Sequence, residues 1–228
     1  MRGPLLPGLN AFVDLCHLNT TLDLPAARDA GLAGVILKLT QHTSLVDPRY
    51  AERLAQAREL GLLVGAYHFC TGADVGRQLD HFLEHLHRFD AKGVLPCVDF
   101  AANPDGHQGD MTRQQLIELV ARFQAATGRY PVVYGGYWML ARLDGLETPG
   151  PLAHCPLWQA FHSSTPGFLS GIWDRWTLHQ YTDGRTGPEP RAFEGIGPVG
   201  RSTFNGSLAE ARAFWQAHAL GDGRPASD

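Results

Sequence analysis

Residues Gly93 to Gly106 read G-V-L-P-C-V-D-F-A-A-N-P-D-G. Val94 to Val98 is a short apolar run with a carboxylate at its far end. Such a run has the pattern of a buried parallel strand, here one that carries Asp99 to the rim of a sheet. Successive side chains on a strand point to opposite faces. Asp99 and residue 101 therefore share a face, about 6.5 Å apart at roughly 3.3 Å per residue. A second carboxylate at 101 would complete an acid pair, but the residue is Ala101. Nothing adjacent replaces it. Asn103 cannot act as an acid, and Asp105 sits in an N-P-D-G segment whose composition suits turn geometry.

The same strand-then-helix pattern extends in both directions from this stretch. Towards the N-terminus lie three apolar runs: Ala11 to Cys16, Gly34 to Thr40 and Leu62 to Phe69. Helices are expected between them. One spans Leu24 to Ala30, with Pro25 tolerated in its first turn. A second opens at Asp47-Pro48, read as N-cap and first helical residue, and ends at Gly61. A third, from about Ala73 to Phe89, places Val75, Leu79, Phe82, Leu86 and Phe89 on one face. Towards the C-terminus, Thr112 and Gln115 form a capping box before an amphipathic helix, and Pro131 to Tyr134 is a fifth strand. The rhythm then changes. Pro156 to Phe161, Trp176 to Tyr181 and Val199 to Phe204 have no full helix between them, and Asp183 to Gly200 is a Gly/Pro-rich loop. A capping box at Ser207 and Glu210 starts the last helix.

Five βα units followed by three strands predict an α/β fold, a single TIM-like barrel with a parallel sheet and helices outside. It would occupy residues 1–220, with a polar tail at 221–228 expected to be disordered. In such barrels the site lies at the C-terminal strand ends. Asp14, Lys38 to Gln41, Tyr67 and His68, Asp99, Tyr134, Trp158, Gln180 and Tyr181 all fall there.

Composition narrows the function further. The 228 residues carry a formal net charge of -4 and contain no basic run, which argues against nucleic acid and anionic membrane partners. No run approaches the ~20 apolar residues of a membrane span. The first ten residues lack the continuous apolar core of a secretion signal. Cys16, Cys70, Cys97 and Cys155 include no C-x-x-C pair and read as free thiols. His81 and His85 stand at i, i+4, but H-F-L-E-H lacks the H-E-x-x-H order and the pair is read as lying off the apolar face, so no metal is expected. No G-x-S-x-G motif is present. A cofactor-free monomer is the expectation.

Several pieces, taken in order, carry a family likeness. They are V-D-L-C-H-L-N at Val13 to Asn19, V-I-L-K-L-T-Q at Val35 to Gln41, D-P-R-Y at Asp47 to Tyr50 and G-A-Y-H-F at Gly65 to Phe69. L-P-C-V-D-F at Leu95 to Phe100 follows, then P-V-V-Y at Pro131 to Tyr134, L-W-Q-A at Leu157 to Ala160, H-Q-Y at His179 to Tyr181 and F-N-G-S at Phe204 to Ser207. With these the chain resembles the glycoside hydrolase family 25 lysozymes, which cleave the β-1,4 link after N-acetylmuramic acid in peptidoglycan. The resemblance implies a ring of carboxylates at the barrel mouth. Asp14 matches the first-strand aspartate, and Asp99 matches the first member of a D-x-E pair, the one that would stabilise the sugar centre. Ala101 stands where the general acid would be, Gly200 where an aspartate is usual, and Gln41 where glutamate is frequent.

The resemblance therefore implies a muramidase scaffold acting on the cell wall, in the periplasm or outside the cell, with low activity in this chain. The alternatives are a glycan-binding protein that keeps the groove without the chemistry, and a barrel hydrolase acting on another sugar. Lys38, Tyr67, Tyr134, Trp158, Gln180 and Tyr181 are candidates to contact the sugar, with aromatic rings offering flat apolar faces. His68 is a candidate orienter of Tyr67. For each aromatic residue, ordinary core packing is the competing reading.

Overall fold

Most barrel strands are apolar runs too short for a helix, and four helices begin at a side-chain cap. The computed structural model describes residues 6–104, 106–167 and 169–221; the readings of Asp105, of residues 1–5 and of the tail at 222–228 lie outside them. The first half comprises β1 (Leu9–Leu15), α1 (Leu24–Asp29), β2 (Gly34–Gln41), β3 (Leu45–Val46), α2 (Tyr50–Glu59), β4 (Leu63–Phe69), α3 (Val75–Arg88) and β5 (Leu95–Asp99). It continues with α4 (Arg113–Thr127), β6 (Val132–Gly136), α5 (Tyr137–Leu143), a 3-10 turn (Gly150–His154), β7 (Leu157–Ala160) and β8 (Leu178–Thr182). A small hairpin of β9 (Ala192–Phe193) and β10 (Gly197–Pro198), then β11 (Gly200–Phe204) and α6 (Leu208–His218), complete the chain.

Eight strands form the barrel, in the order β1-β11-β8-β7-β6-β5-β4-β2, and β1 pairs with β2 to close it. Five βα units precede three strands, as the spacing predicts. One feature differs from the fully parallel sheet expected: β11 runs antiparallel to both β8 and β1. The cause is the missing helix. Parallel neighbours need a crossover that returns the chain to the opposite end of the sheet. The segment after β8 instead forms the β9–β10 hairpin at the mouth, so β11 starts at the mouth and runs down. β3 is a further addition, an antiparallel strand on the end of β2.

The capping boxes at Thr112/Gln115 and Ser207/Glu210 are both formed, and Asp74 caps α3 by accepting from Arg77 N. α2 differs from expectation. It begins at Tyr50 with no side-chain cap. The buried Asp47 carboxylate accepts instead from the backbone N–H of Arg49 and of His17, with the His17 ring at 3.1 Å. Asp47 thus ties the β1–α1 loop to the start of α2.

The core has two shells. Inside the barrel, Phe12, Ile36, Leu95, Cys97, Val132, Trp158, Leu178 and Phe204 pack together with Trp215 of α6. Outside, two clusters fill the space between the sheet and the helices. Trp215 stacks on Phe12 at 5.2 Å and donates its indole N–H to Val64 O at 2.9 Å, so α6 plugs the bottom of the barrel. All four cysteines are free. Among the described residues no helix is long and apolar enough to cross a membrane.

Candidate active site

The strand period of two decides which side chains reach the mouth. Phe12, Ile36, Cys97, Val132 and Leu178 point inward, so Asp14, Lys38, Asp99, Tyr134 and Gln180 form the next inward layer above them. Tyr67 joins that layer from β4, packed against the same interior cluster. The ladders hold the layer level: Lys38 pairs with Tyr67, and Asp99 with Tyr134.

Gln180 links the two sides of the layer. Its side-chain carbonyl oxygen accepts from the Tyr134 hydroxyl at 2.9 Å and from His162 Nε2 at 3.2 Å. Its amide nitrogen must then face the other way, and it donates to Asp14 Oδ1 at 2.7 Å. Because Nε2 of His162 carries the hydrogen, Nδ1 of the neutral ring accepts from the Thr186 hydroxyl at 2.9 Å. His162 and Thr186 went unremarked in the sequence. They lie on the loops that leave β7 and β8, and the only cue is their position two and four residues beyond a strand end at the mouth.

The two aspartates occupy different electrostatic settings. Burial pushes the Asp14 carboxyl up to about 6, opposed by the Gln180 hydrogen bond. Burial pushes Asp99 further, to about 8; Lys38 opposes this and the neighbouring Asp14 charge adds to it. Oδ1 of Asp99 is shut off from solvent and has no hydrogen-bond partner. At neutral pH Asp14 is therefore mostly ionised and Asp99 mostly protonated. Burial also raises the Tyr67 and Tyr134 hydroxyls, which keeps both as proton-bearing donors. Lys38 Nζ donates to Gln41 Oε1 and lies 5.3 Å from the centre of the Phe69 ring.

Ala101 is half-buried just past β5. The ladder reaches Phe100, whose N–H donates to Tyr134 O at 2.9 Å, and Ala101 is the first residue beyond it. Gly200 opposes Asp14 in the β1–β11 register. A side-chain carbon built on Gly200 would fall 2.6 Å from Asp14 Cγ, closer than any real contact. The space expected for an aspartate at 200 is filled by the Asp14 carboxylate.

Three other candidates are placed away from the mouth. His68 faces outward from β4, buried between Thr40 Oγ1 at 2.8 Å and Gln78 Oε1 at 3.4 Å, and burial lowers its pKa to about 3. It is a neutral link between sheet and α3 and does not orient Tyr67, because adjacent strand residues face opposite ways. Trp158 is 3% exposed, meets Tyr134 edge-on at 4.5 Å and donates to Ser202 Oγ at 2.9 Å. It is the floor beneath the site rather than a stacking surface. Tyr181 is fully buried, with its hydroxyl donating to Pro190 O at 2.7 Å, and it anchors the β8–β11 loop. The exposed apolar residues at this end are Leu18, after β1, and Tyr137, after β6. Trp138, beside Tyr137, is covered by the Arg142 guanidinium at 3.5 Å.

A half-buried pair of carboxylates in opposite protonation states at the mouth of a β/α barrel is an arrangement suited to acid–base cleavage of a glycosidic bond. Comparison with known proteins agrees with this chemistry. The sequence model of Glycosyl hydrolases family 25 matches residues 13–189. The chain is 29% identical over 216 residues to Lysozyme M1 of Streptomyces globisporus, covering 89% of this chain and 70% of that protein. It is 28% identical over 191 residues to YegX of Escherichia coli (strain K12), covering 82% of this chain and 65% of the length of YegX. Among solved structures, the bacterial lysozyme from Streptomyces coelicolor superposes with a TM-score of 0.75 at 25% identity, covering 92% of this chain and 98% of that one.

Proposed function

The chain belongs to glycosyl hydrolase family 25, and on that premise we propose that it binds the glycan strand of peptidoglycan across the barrel mouth and cleaves its β-1,4 link after N-acetylmuramic acid at a reduced rate. The observation that carries this reading is the pairing of Asp14 and Asp99 with alanine at 101. Cleavage needs one carboxylic acid to protonate the leaving oxygen and one negative group to support the oxocarbenium-like centre. In this chain no carboxyl stands at 101. At neutral pH Asp99 bears its proton and Asp14 is mostly ionised, with the exposed, ionised Asp183 on the loop after β8 nearby. Residual cleavage then takes its proton from Asp99 onto the glycosidic oxygen. Asp14 or the substrate's own N-acetyl oxygen meets the charge on the sugar carbon as the C–O bond breaks, before water adds and returns a proton to Asp99. Tyr67 and Tyr134 offer hydroxyls to the sugar, and the exposed Leu18 and Tyr137 lie at the rim. The cell wall is the place of action that this substrate implies.

The test is Ala101→Glu. Release of reducing ends from purified cell walls should rise at least ~100-fold, the low end for general acid catalysis. In the unaltered chain the slow activity should vanish in Asp99→Asn. A second reading, a glycan-binding barrel without catalysis, is favoured by one observation: the Asp14 carboxylate is tied to Gln180 and stowed against Gly200. A carboxylate held in this way is suited to contacting a glycan hydroxyl without taking part in cleavage. An Ala101→Glu chain that folds and binds muramyl oligosaccharides but releases no reducing ends would establish this second reading and overturn the first.

A further inference from the structure

Away from the mouth, His81, Glu84 and His85 occupy positions i, i+3 and i+4 of α3, so their side chains share one face of the helix. One potential ligand atom from each lies within 4.8 Å of the others. The sequence order argued against a metal there, partly because the pair was read as lying off the apolar face. The structure alters that reading, since His85 is only 7% exposed.

The backbone sets the tautomer of both rings. His81 Nε2 lies 3.0 Å from Leu45 O, and His85 Nδ1 lies 2.9 Å from His81 O. A carbonyl oxygen can only accept, so each of these nitrogens carries the hydrogen. In the neutral rings the opposite nitrogens, His81 Nδ1 and His85 Nε2, are then bare lone pairs. Metal-bound histidines are held in this way, with the far N–H donated to a carbonyl or carboxylate that fixes ring and tautomer. Glu84 is exposed and free to turn its carboxylate towards the pair.

We propose that His81, Glu84 and His85 form a binding site for a divalent transition-metal ion of the Zn²⁺ class, with the remaining coordination position left to water. Two imidazoles and one carboxylate suit Zn²⁺, Ni²⁺ or Cu²⁺, whereas Mg²⁺ and Ca²⁺ prefer oxygen. Zn–N bonds of about 2.0–2.1 Å place ligand atoms closer together than 4.8 Å. The torsions of the exposed Glu84, with a small shift of the His81 ring that keeps its Leu45 bond, supply that closure. His81 also holds β3 through Leu45, and Leu45 pairs with Gln41 at the end of β2. A bound ion therefore fastens the β2–β3 hairpin to α3.

The test is calorimetric titration of the chelator-stripped full chain with ZnCl₂. One equivalent should bind with saturation, and the 15N shifts of His81 Nδ1 and His85 Nε2 should move. Glu84→Gln changes an exposed side chain and leaves the fold in place. It should weaken Zn²⁺ binding by at least ~10-fold, the low end for disturbing a metal's ligand shell. His85→Gln, checked for folding by circular dichroism, should abolish one-site binding. Absence of saturable binding with Zn²⁺, Ni²⁺ and Cu²⁺ would overturn the proposal. So would unchanged affinity in Glu84→Gln together with unmoved His81 and His85 shifts, since the ion would then lie on other histidines.

Discussion

Asp14 and residue 200 compete for one space, and the glycine lets Asp14 have it. A side-chain carbon at 200 would overlap the Asp14 carboxylate, so an aspartate there must push Asp14 off its 2.7 Å bond from Gln180. It would also set two carboxylates against each other beneath the mouth, where like charges raise one pKa and destabilise the pair. Gly200→Asp should therefore lower stability by about 1–3 kcal/mol, the usual cost of overpacking a filled core. Added to Ala101→Glu, it should remove part of the restored activity. Thermal unfolding and reducing-end assays on the single and double variants would check this, and a double variant more active than Ala101→Glu alone would refute it. The sequence could not disclose the competition. Strand-end position and a match of motifs were enough to single out Asp14 and Asp99. Which of two facing strands fills a shared space depends on the register between β1 and β11, and register across 186 residues of chain leaves no local trace. The alternation rule, applied to neighbours, does separate Tyr67 from His68 and Gln180 from Tyr181. It leaves open whether an inward aromatic such as Trp158 reaches the mouth or stops at the floor.

Elements were readable in proportion to their periodicity and caps. α3, α4 and α6 have both, and each starts at the residue its capping side chain marks. β3, β9 and β10 have two residues apiece, too few for a period of two to register. α2 begins a little later than expected because Asp47, a good cap by type, divides its carboxylate between Arg49 N–H and the β1–α1 loop. α6 shows how an element remote from the site supports it. Its Trp215 is 2% exposed and fills the base of the barrel against Phe12, two layers under Asp14. Trp215→Ala should cost about 3–5 kcal/mol, the range for deleting a large buried aromatic side chain. Trp215→Phe should keep the stack on Phe12 and lose mainly the bond to Val64 O, about 1 kcal/mol. Urea unfolding of the two variants measures the difference. Equal losses would show that the hydrogen bond outweighs the packing and that α6 does not act as a plug.

For the whole molecule, the buried titratable groups set how stability follows pH. The largest shifts near neutrality are those of Asp14, from 3.8 to about 6, of Asp99, from 3.8 to about 8, and of His68, from 6.5 to about 3; burial also lowers His179 and His218. The folded state holds the two aspartate protons more tightly than the unfolded chain does. Their stabilisation is complete below 3.8 and is lost as pH rises through the folded values. His68 acts in the opposite sense: its stabilisation is complete above 6.5 and is lost as pH falls towards 3. Between pH 4 and 6.5 the aspartates act against His68, with which the lowered His179 and His218 act together, so the contributions oppose each other there. From 6.5 to 8 only Asp99 remains, and stability falls, with a slope of at most about 1.4 kcal/mol per pH unit for one proton. The melting temperature should therefore drop between pH 6.5 and 8, where most proteins with paired surface carboxylates are near their plateau. In Asp99→Asn that limb should be flat. A melting temperature that holds level or climbs from pH 6.5 to 8 in the unaltered chain would mean that Asp99 is ionised in the fold, and the proton assigned to it for catalysis would have to come from elsewhere.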